Sequence, residues 1–131
     1  MIAVDTSVLI AILLNEPEAG ALTSAIGGAD RVLIGAPTLL ETTIVASGKS
    51  PRLLYDLPEL LADIDAEAID FTPRHLDAAT DAFLRFGKGR HPAALNYGDC
   101  MSYAVARIAG CPLLYKGADF ARTDIPSALP A

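Results

Sequence analysis

Cysteine is scarce in this chain: Cys100 and Cys111 are the only two, too few for a disulfide framework. If a helix joins them, its rise of about 1.5 Å per residue sets them roughly 16 Å apart, beyond bridging distance. They read as reduced core thiols of a cytoplasmic protein. Histidine is as scarce, and His75 and His91 form no cluster with the cysteines, which argues against zinc. No apolar run reaches the roughly 18 residues of a membrane span. The N-terminus lacks the basic lead and small-residue cleavage site of a signal peptide. Positive charge is also short. Ten Lys and Arg against sixteen Asp and Glu leave a net charge of −6, which removes any global attraction for nucleic acid. No G-x-G-x-x-G follows an apolar run, so a dinucleotide-binding module is disfavoured.

What the chain does have is apolar content: 52% of its 131 residues are hydrophobic and mean hydropathy is +0.38. That suffices for one domain over residues 1–131 with a real core, and it argues against disorder.

The first fourteen residues organise the rest. Ile2 to Val4 is a short apolar run of the kind buried on both faces of a parallel sheet. Asp5 puts a carboxylate at its end, and Thr6-Ser7 opens an apolar helix to Leu14. Further strands are expected at 31–34, 68–71 and 111–115, with one short edge strand near Ala128. Helices are expected after Pro17, over 38–47, over 52–65 with a kink or break at Pro58, from Thr72-Pro73 to Phe86, and over 97–109. On the helix ending at Phe86, the core face should carry Leu76, Ala79, Phe83 and Phe86. Strands alternating with helices imply an α/β fold: a four- to five-stranded parallel sheet flanked by helices.

Acids embedded in apolar stretches are informative, because acids normally sit on solvated faces. Asp5 and Asp119 follow strands. Asp99 enters an apolar helix, where Asn96 three residues earlier also suits a capping box. Glu41 shares a helical stripe with Pro37, Ile44 and Val45. Each has an ordinary reading as a cap, a turn or an exposed helical acid. Together, Asp5, Asp99 and Asp119 fall at sheet-end positions, where open α/β sheets build their sites, with Glu41 on a neighbouring helix. Carboxylates gathered in one cleft repel one another unless protons or cations intervene. A hard divalent ion, Mg²⁺ or Mn²⁺, suits an all-oxygen set. Such an ion orients a phosphodiester and activates water, which points to metal-dependent phosphodiester hydrolysis.

The one concentration of positive charge is the glycine-containing loop after Arg85, with Lys88, Arg90 and His91. It reads either as a solvated loop or as a patch that holds RNA.

Val4-Asp5-Thr6-Ser7, Leu40-Glu41, His91-Pro-Ala-Ala-Leu-Asn-Tyr-Gly-Asp-Cys100 with Tyr103-Ala104, and Gly117-Ala-Asp-Phe120 with Thr123-Asp124 resemble the PIN-domain ribonucleases. Within that family they resemble the VapC-type toxins of bacterial toxin–antitoxin pairs. The segment from His91 to Ala104 is the most specific piece, and the resemblance covers essentially the whole chain. It implies a PIN-like three-layer sandwich and a metal-binding triad of Asp5, Glu41 and Asp99, supported by the Thr6 or Ser7 hydroxyl. It also implies endoribonuclease activity, dimerisation, and neutralisation by a small antitoxin that inserts a segment into the groove. Many relatives carry an extra acid just before the position of Asp119. Here Gly117 and Ala118 stand there, which leaves Asp119 as the sole fourth carboxylate and gives a second ion few ligands. The rival readings are a phospho-acceptor domain, which lacks an acid closing a central strand at Ile34, and a catalytically inactive PIN-fold module that binds RNA or protein.

Overall fold

Short apolar runs of two to four residues alternate with longer amphipathic ones, and the computed structural model, which describes residues 1–129, folds them accordingly. Ile2–Val4 (β1) leads into Thr6–Leu13 (α1) and Ala19–Gly27 (α2). Val32–Gly35 (β2) leads into Ala36–Lys49 (α3) and Leu53–Asp63 (α4). Ala66–Ile69 (β3) is followed by Pro73–Phe86 (α5) and Tyr97–Ala109 (α6), and Leu113–Leu114 (β4) by a tail with a 3₁₀ turn at Phe120–Arg122. The strands form one parallel sheet of order β3-β2-β1-β4. Ala3 of β1 pairs with Leu33 on one side and Leu113 on the other.

Strand side chains alternate between faces, and both faces are covered. Ile2, Val4, Val32, Ile34 and Leu114 pack with Val8 and Leu9 of α1 and Leu22 and Ile26 of α2. Ala3, Leu33 and Leu113 pack on the other side with Ala79 and Ala82 of α5 and Tyr103 to Ala106 of α6. The result is the expected three-layer α/β sandwich, with four strands. The edge strand expected near Ala128 is a single parallel bridge from Leu113 to Ser127, where the Ala128 amide donates to the Leu113 carbonyl at 2.9 Å.

Three details differ from the sequence reading. α4 runs unbroken through Pro58. That proline removes one backbone donor, and the helix continues on either side of it. β3 lies at 66–69, earlier than expected, because its register pairs Val32 with Ala66 and Gly35 with Ile69. On α5, the buried residues are His75, Ala79 and Ala82, while Leu76 and Phe83 are exposed. Small alanines let α5 approach α6 closely, and the larger apolar side chains are left outside. Exposed Leu40 and Ile44 of α3 and Tyr97 of α6 complete an apolar surface with them.

α6 has strong signals at both ends. Asn96 caps it in a reciprocal box with Asp99, and Gly110 ends it in the left-handed conformation at φ 68°. The tail is tied to α5 and α6 through Asp124. That carboxylate accepts from the Tyr103 hydroxyl at 2.6 Å, from Arg107 at 2.6 Å and from Arg85 at 3.0 Å.

Candidate active site

The chain passes from β1 out to β3 on one side and returns to β4 on the other. β1 and β4 therefore flank a point where strand order reverses, and the carboxyl ends of strands at such a point form a crevice. Asp5 closes β1 there and caps α1, and it is 5% exposed. Its Oδ2 accepts from the Ser7 amide at 3.1 Å and the Ser7 hydroxyl at 2.7 Å, and its Oδ1 from the Ser102 hydroxyl at 2.5 Å. Asp5 therefore caps α1 and also lines the cleft at this sheet end, so neither of its two readings excludes the other. Ser7 also ties in the last strand, because the Lys116 amide donates to Ser7 Oγ at 3.0 Å.

Glu41 reaches the same crevice from α3. Its Oε1 accepts from Thr6 Oγ1 at 2.7 Å, and Thr6 Oγ1 lies 3.0 Å from Thr42 Oγ1. Thr6, Thr38, Thr42 and Ser102 are all buried and link α1, α3 and α6 through their hydroxyls. Gly98 makes room for the acid: a Cβ at that position would overlap the Glu41 carboxylate. With glycine there the Glu41 carboxylate can keep this position; a larger residue would make it shift.

Asp99 sits in the first turn of α6, where its Oδ2 accepts from the Asn96 amide at 3.1 Å. Burial pushes its carboxyl up to about 6; the Asn96 amide opposes that rise, and the charges of Asp5, Asp119 and Glu41 add to it. Asp119 is exposed and precedes the 3₁₀ turn, whose Phe120 is buried with its ring 5.2 Å from that of Tyr115. Gly117 has φ 103°, a conformation that disfavours a side-chain-bearing acid at that position.

Asp5, Thr6, Ser7, Glu41 and Asp99 line one cleft of about 320 Å³, together with Ile10, Glu16, Val45, Lys49 and Lys116. Among the described residues, no three Asp, Glu, His or Cys side chains stand close enough together to enclose an ion. The cleft is a group of oriented carboxylates, not a preformed cage. An all-oxygen set that raises the pKa of one of its own members nevertheless fits a hard divalent cation. Mg²⁺ keeps several waters and needs only one or two protein carboxylates, with substrate oxygens completing its shell.

The other sequence candidates lie elsewhere. Lys88, Arg90 and His91 do not line this cleft. The Arg90 guanidinium lies 5.8 Å from the Phe83 ring centre and donates to the Leu84 carbonyl at 3.2 Å. His91 stands edge-on to Phe86 at 5.2 Å, and its Nδ1 accepts from the Ala93 amide. The cations lining the cleft are Lys49 and Lys116, which sequence reasoning did not single out. Lys116 could have been found from its place two residues beyond a core strand, at the same sheet end as Asp5. The hydroxyls of Thr38, Thr42 and Ser102 carried no comparable signal.

Residues 2–126 match the family model described as PIN domain. The chain is 42% identical over 126 residues to Ribonuclease VapC36 of Mycobacterium tuberculosis, covering 93% of this chain and 89% of that one. It is 41% identical to Ribonuclease VapC30 of the same species, covering 97% and 98%. It is 42% identical to Ribonuclease VapC of Mycolicibacterium smegmatis, covering 93% and 95%. Among solved structures, the fold matches M. tuberculosis VapC20, titled a sarcin-ricin loop cleaving toxin, with a TM-score of 0.79 at 17% identity over 99% of this chain and 100% of that one. It also matches a toxin-antitoxin complex from Klebsiella pneumoniae, with a TM-score of 0.71 at 14% identity over 95% and 93%. VapBC2 of Rickettsia felis, bound to a promoter DNA fragment, gives 0.73 at 14% over 97% and 96%. Sequence, sheet order and whole-length similarity agree: the chain belongs to the PIN-domain family, in its VapC ribonuclease branch.

Proposed function

We propose that the chain is a metal-dependent endoribonuclease that hydrolyses RNA phosphodiester bonds and acts as the toxin of a type II toxin–antitoxin pair. The observation that carries this reading is the group of carboxylates at the β1–β4 crevice, oriented among the described residues by neutral hydroxyls and amides and not by the cleft's Lys49 or Lys116. Asp5 and Asp99, with Glu41 assisting, would hold Mg²⁺ or Mn²⁺. When bound, the ion activates a water and neutralises charge that builds on phosphate. The protein's part is orientation. Ser7 and Ser102 fix both Asp5 oxygens, Thr6 fixes Glu41, and the Asn96 amide fixes Asp99. Asp119, exposed in the loop after β4, would meet a further ion only when RNA phosphate supplies oxygens.

The partner chemistry follows from the same residues. A small antitoxin would place an Arg or Lys in the cleft, supplying the charge that metal supplies in the active state. That the Klebsiella neighbour is a toxin-antitoxin complex and the Rickettsia neighbour is VapBC2 supports an antitoxin partner. The apolar surface of Leu40, Ile44, Leu76, Phe83 and Tyr97 is assigned to a second copy in a homodimer, because a basic antitoxin segment is drawn to the acids instead. Lys88, Arg90 and His91 would contact RNA at a distance from the chemistry. No helix among the described residues is long and apolar enough to cross a membrane. Acting on cellular RNA, the chain would work in the cytoplasm.

Purified protein incubated with RNA should cleave it with Mg²⁺ or Mn²⁺ and not with EDTA. Asp5→Asn should reduce the rate roughly 10³-fold, the scale of losing a principal electrostatic contact at a reacting centre, and Asp119→Asn about tenfold. RNA binding with no metal-dependent cleavage by the parent would favour an inactive binding module instead.

A further inference from the structure

The cleft has an electrostatic problem that its carboxylates do not solve. A strand of RNA carries a negative charge at every linkage, and Asp5, Glu16, Glu41 and Asp99 all line the surface it must approach. An ion at the reacting phosphate answers for that phosphate alone. The flanking phosphates need cations of the protein, and the Gly-Lys-Gly loop does not supply them at this cleft.

Lys116 is placed to do so. Its backbone amide is bonded to Ser7 Oγ, and the same hydroxyl donates to Asp5, so this residue is anchored two hydrogen bonds from the central carboxylate. Its ammonium group pairs with Glu16 and lies 3.4 Å from Glu18, in the segment that follows α1. An ammonium has three donors; Glu16 accepts from one of them, and Glu18 stands at ion-pair distance. Partly exposed pairs of this kind are individually weak, so they orient the lysine without consuming it.

We propose that Lys116 binds a phosphate of the RNA strand beside the reacting one, with Glu16 and Glu18 holding the lysine in place and moderating its charge. This rests on the ribonuclease reading above and names a substrate contact within it. The competing account makes Lys116 a staple between the loop after α1 and the loop after β4. The two accounts differ in sign. A staple loses function when either side of the pair is removed. A phosphate-binding lysine loses RNA affinity when it is removed itself, and gains affinity when its acids are neutralised.

The test measures binding of a fluorescent single-stranded RNA oligonucleotide by anisotropy across a salt series, in an Asp99→Asn background that cannot turn over. Steady-state cleavage is measured alongside in the otherwise unchanged chain. Lys116→Ala should weaken binding on the order of tenfold and lower the salt slope by about 0.7, the value for one phosphate contact on a single strand. The same variant should raise KM with kcat within about twofold of the parent, as expected for uniform binding of substrate and transition state. Lys116→Arg should restore most of the affinity. The double variant Glu16→Gln, Glu18→Gln should tighten binding severalfold. Parallel losses in Lys116→Ala and the double variant, with an unchanged salt slope, would overturn the proposal in favour of the staple. A parent that neither binds nor cleaves RNA would overturn the ribonuclease reading, and this inference with it.

Discussion

Two sets of acids in this chain are embedded in helices and loops around the same sheet, and their surroundings treat them oppositely. Asp124 is exposed; desolvation raises its carboxyl, but hydrogen bonds from Tyr103, Arg107 and Arg85 more than compensate and bring it down to about 2. Asp99 is pushed up by burial to about 6, with only a backbone amide to oppose it and three further acids nearby. Asp124 is held by cations of the protein itself; Asp99 is held by neutral donors in a cleft that stays negative. The first arrangement fixes a tail, and the second leaves a charge deficit for something else to fill. An acid whose hydrogen-bond partners carry no counter-charge is a stronger functional candidate than one that is merely buried.

Removing the unsatisfied charge should separate stability from activity most widely. Asp99→Asn should lower cleavage roughly 10³-fold while raising stability in metal-free buffer at pH 7 by up to about 3 kcal/mol, the equivalent of a rise from 3.8 to about 6. The sign follows from proton uptake. The folded state keeps the Asp99 proton that the unfolded chain has lost, so metal-free stability falls as pH rises from about 4 to about 6. Calorimetry across that range checks it, and added Mg²⁺ should reverse the loss by binding the folded state. A variant no more stable than the parent would break the comparison.

Asp124→Asn should do the reverse. It should cost about 1–2 kcal/mol, allowing for the solvent exposure of its partners, while leaving the rate per folded molecule unchanged. Because its folded pKa is depressed, this contribution is present above about 4 and fades as pH falls towards about 2. Chemical denaturation at pH 7 and near pH 2.5 measures both limits.

The smallest effect sharpens the comparison within the cleft. Gly98→Ala places a methyl group where the Glu41 carboxylate sits. Alanine favours the helix by about 1 kcal/mol, so the helix itself gains while Glu41 is displaced. Cleavage should fall roughly tenfold, since small misplacements of a reacting group are costly. Rates near the parent's would show that Glu41 is dispensable.

Strand-end acids were legible because their position follows from chain direction alone. Asp5 after Ile2-Ala3-Val4, and Asp99 three residues after a cap, can be placed without knowing any partner. Strand limits were less legible: β4 keeps only Leu113 and Leu114, because β1 beside it is itself short. The exposed Leu76 and Phe83 could not be told from core, since α5 carries apolar residues on more than one side and only packing against α6 selects the alanine face. Hydroxyls escaped for another reason. Thr42 and Ser102 in apolar helices look like tolerated polar residues until the acids they orient, on other elements, are seen beside them. Lys116, two residues beyond β4, was within reach of the strand-end argument, but its pairing with Glu16, one hundred positions away, was not.

β1 lies inside the sheet, yet it is the first element of the chain, and its neighbours arrive at residues 32 and 113. During synthesis, Asp5 is made well before its partners: Ser102 follows it by 97 positions, and Lys116 follows Ser7 by 109. Contacts of such long sequence separation form late and slowly. The cleft therefore does not exist on a nascent fragment, however much of its first half has folded. A ribonuclease wired in this way stays inert beside the ribosome that makes it until residues as late as Lys116 have been delivered.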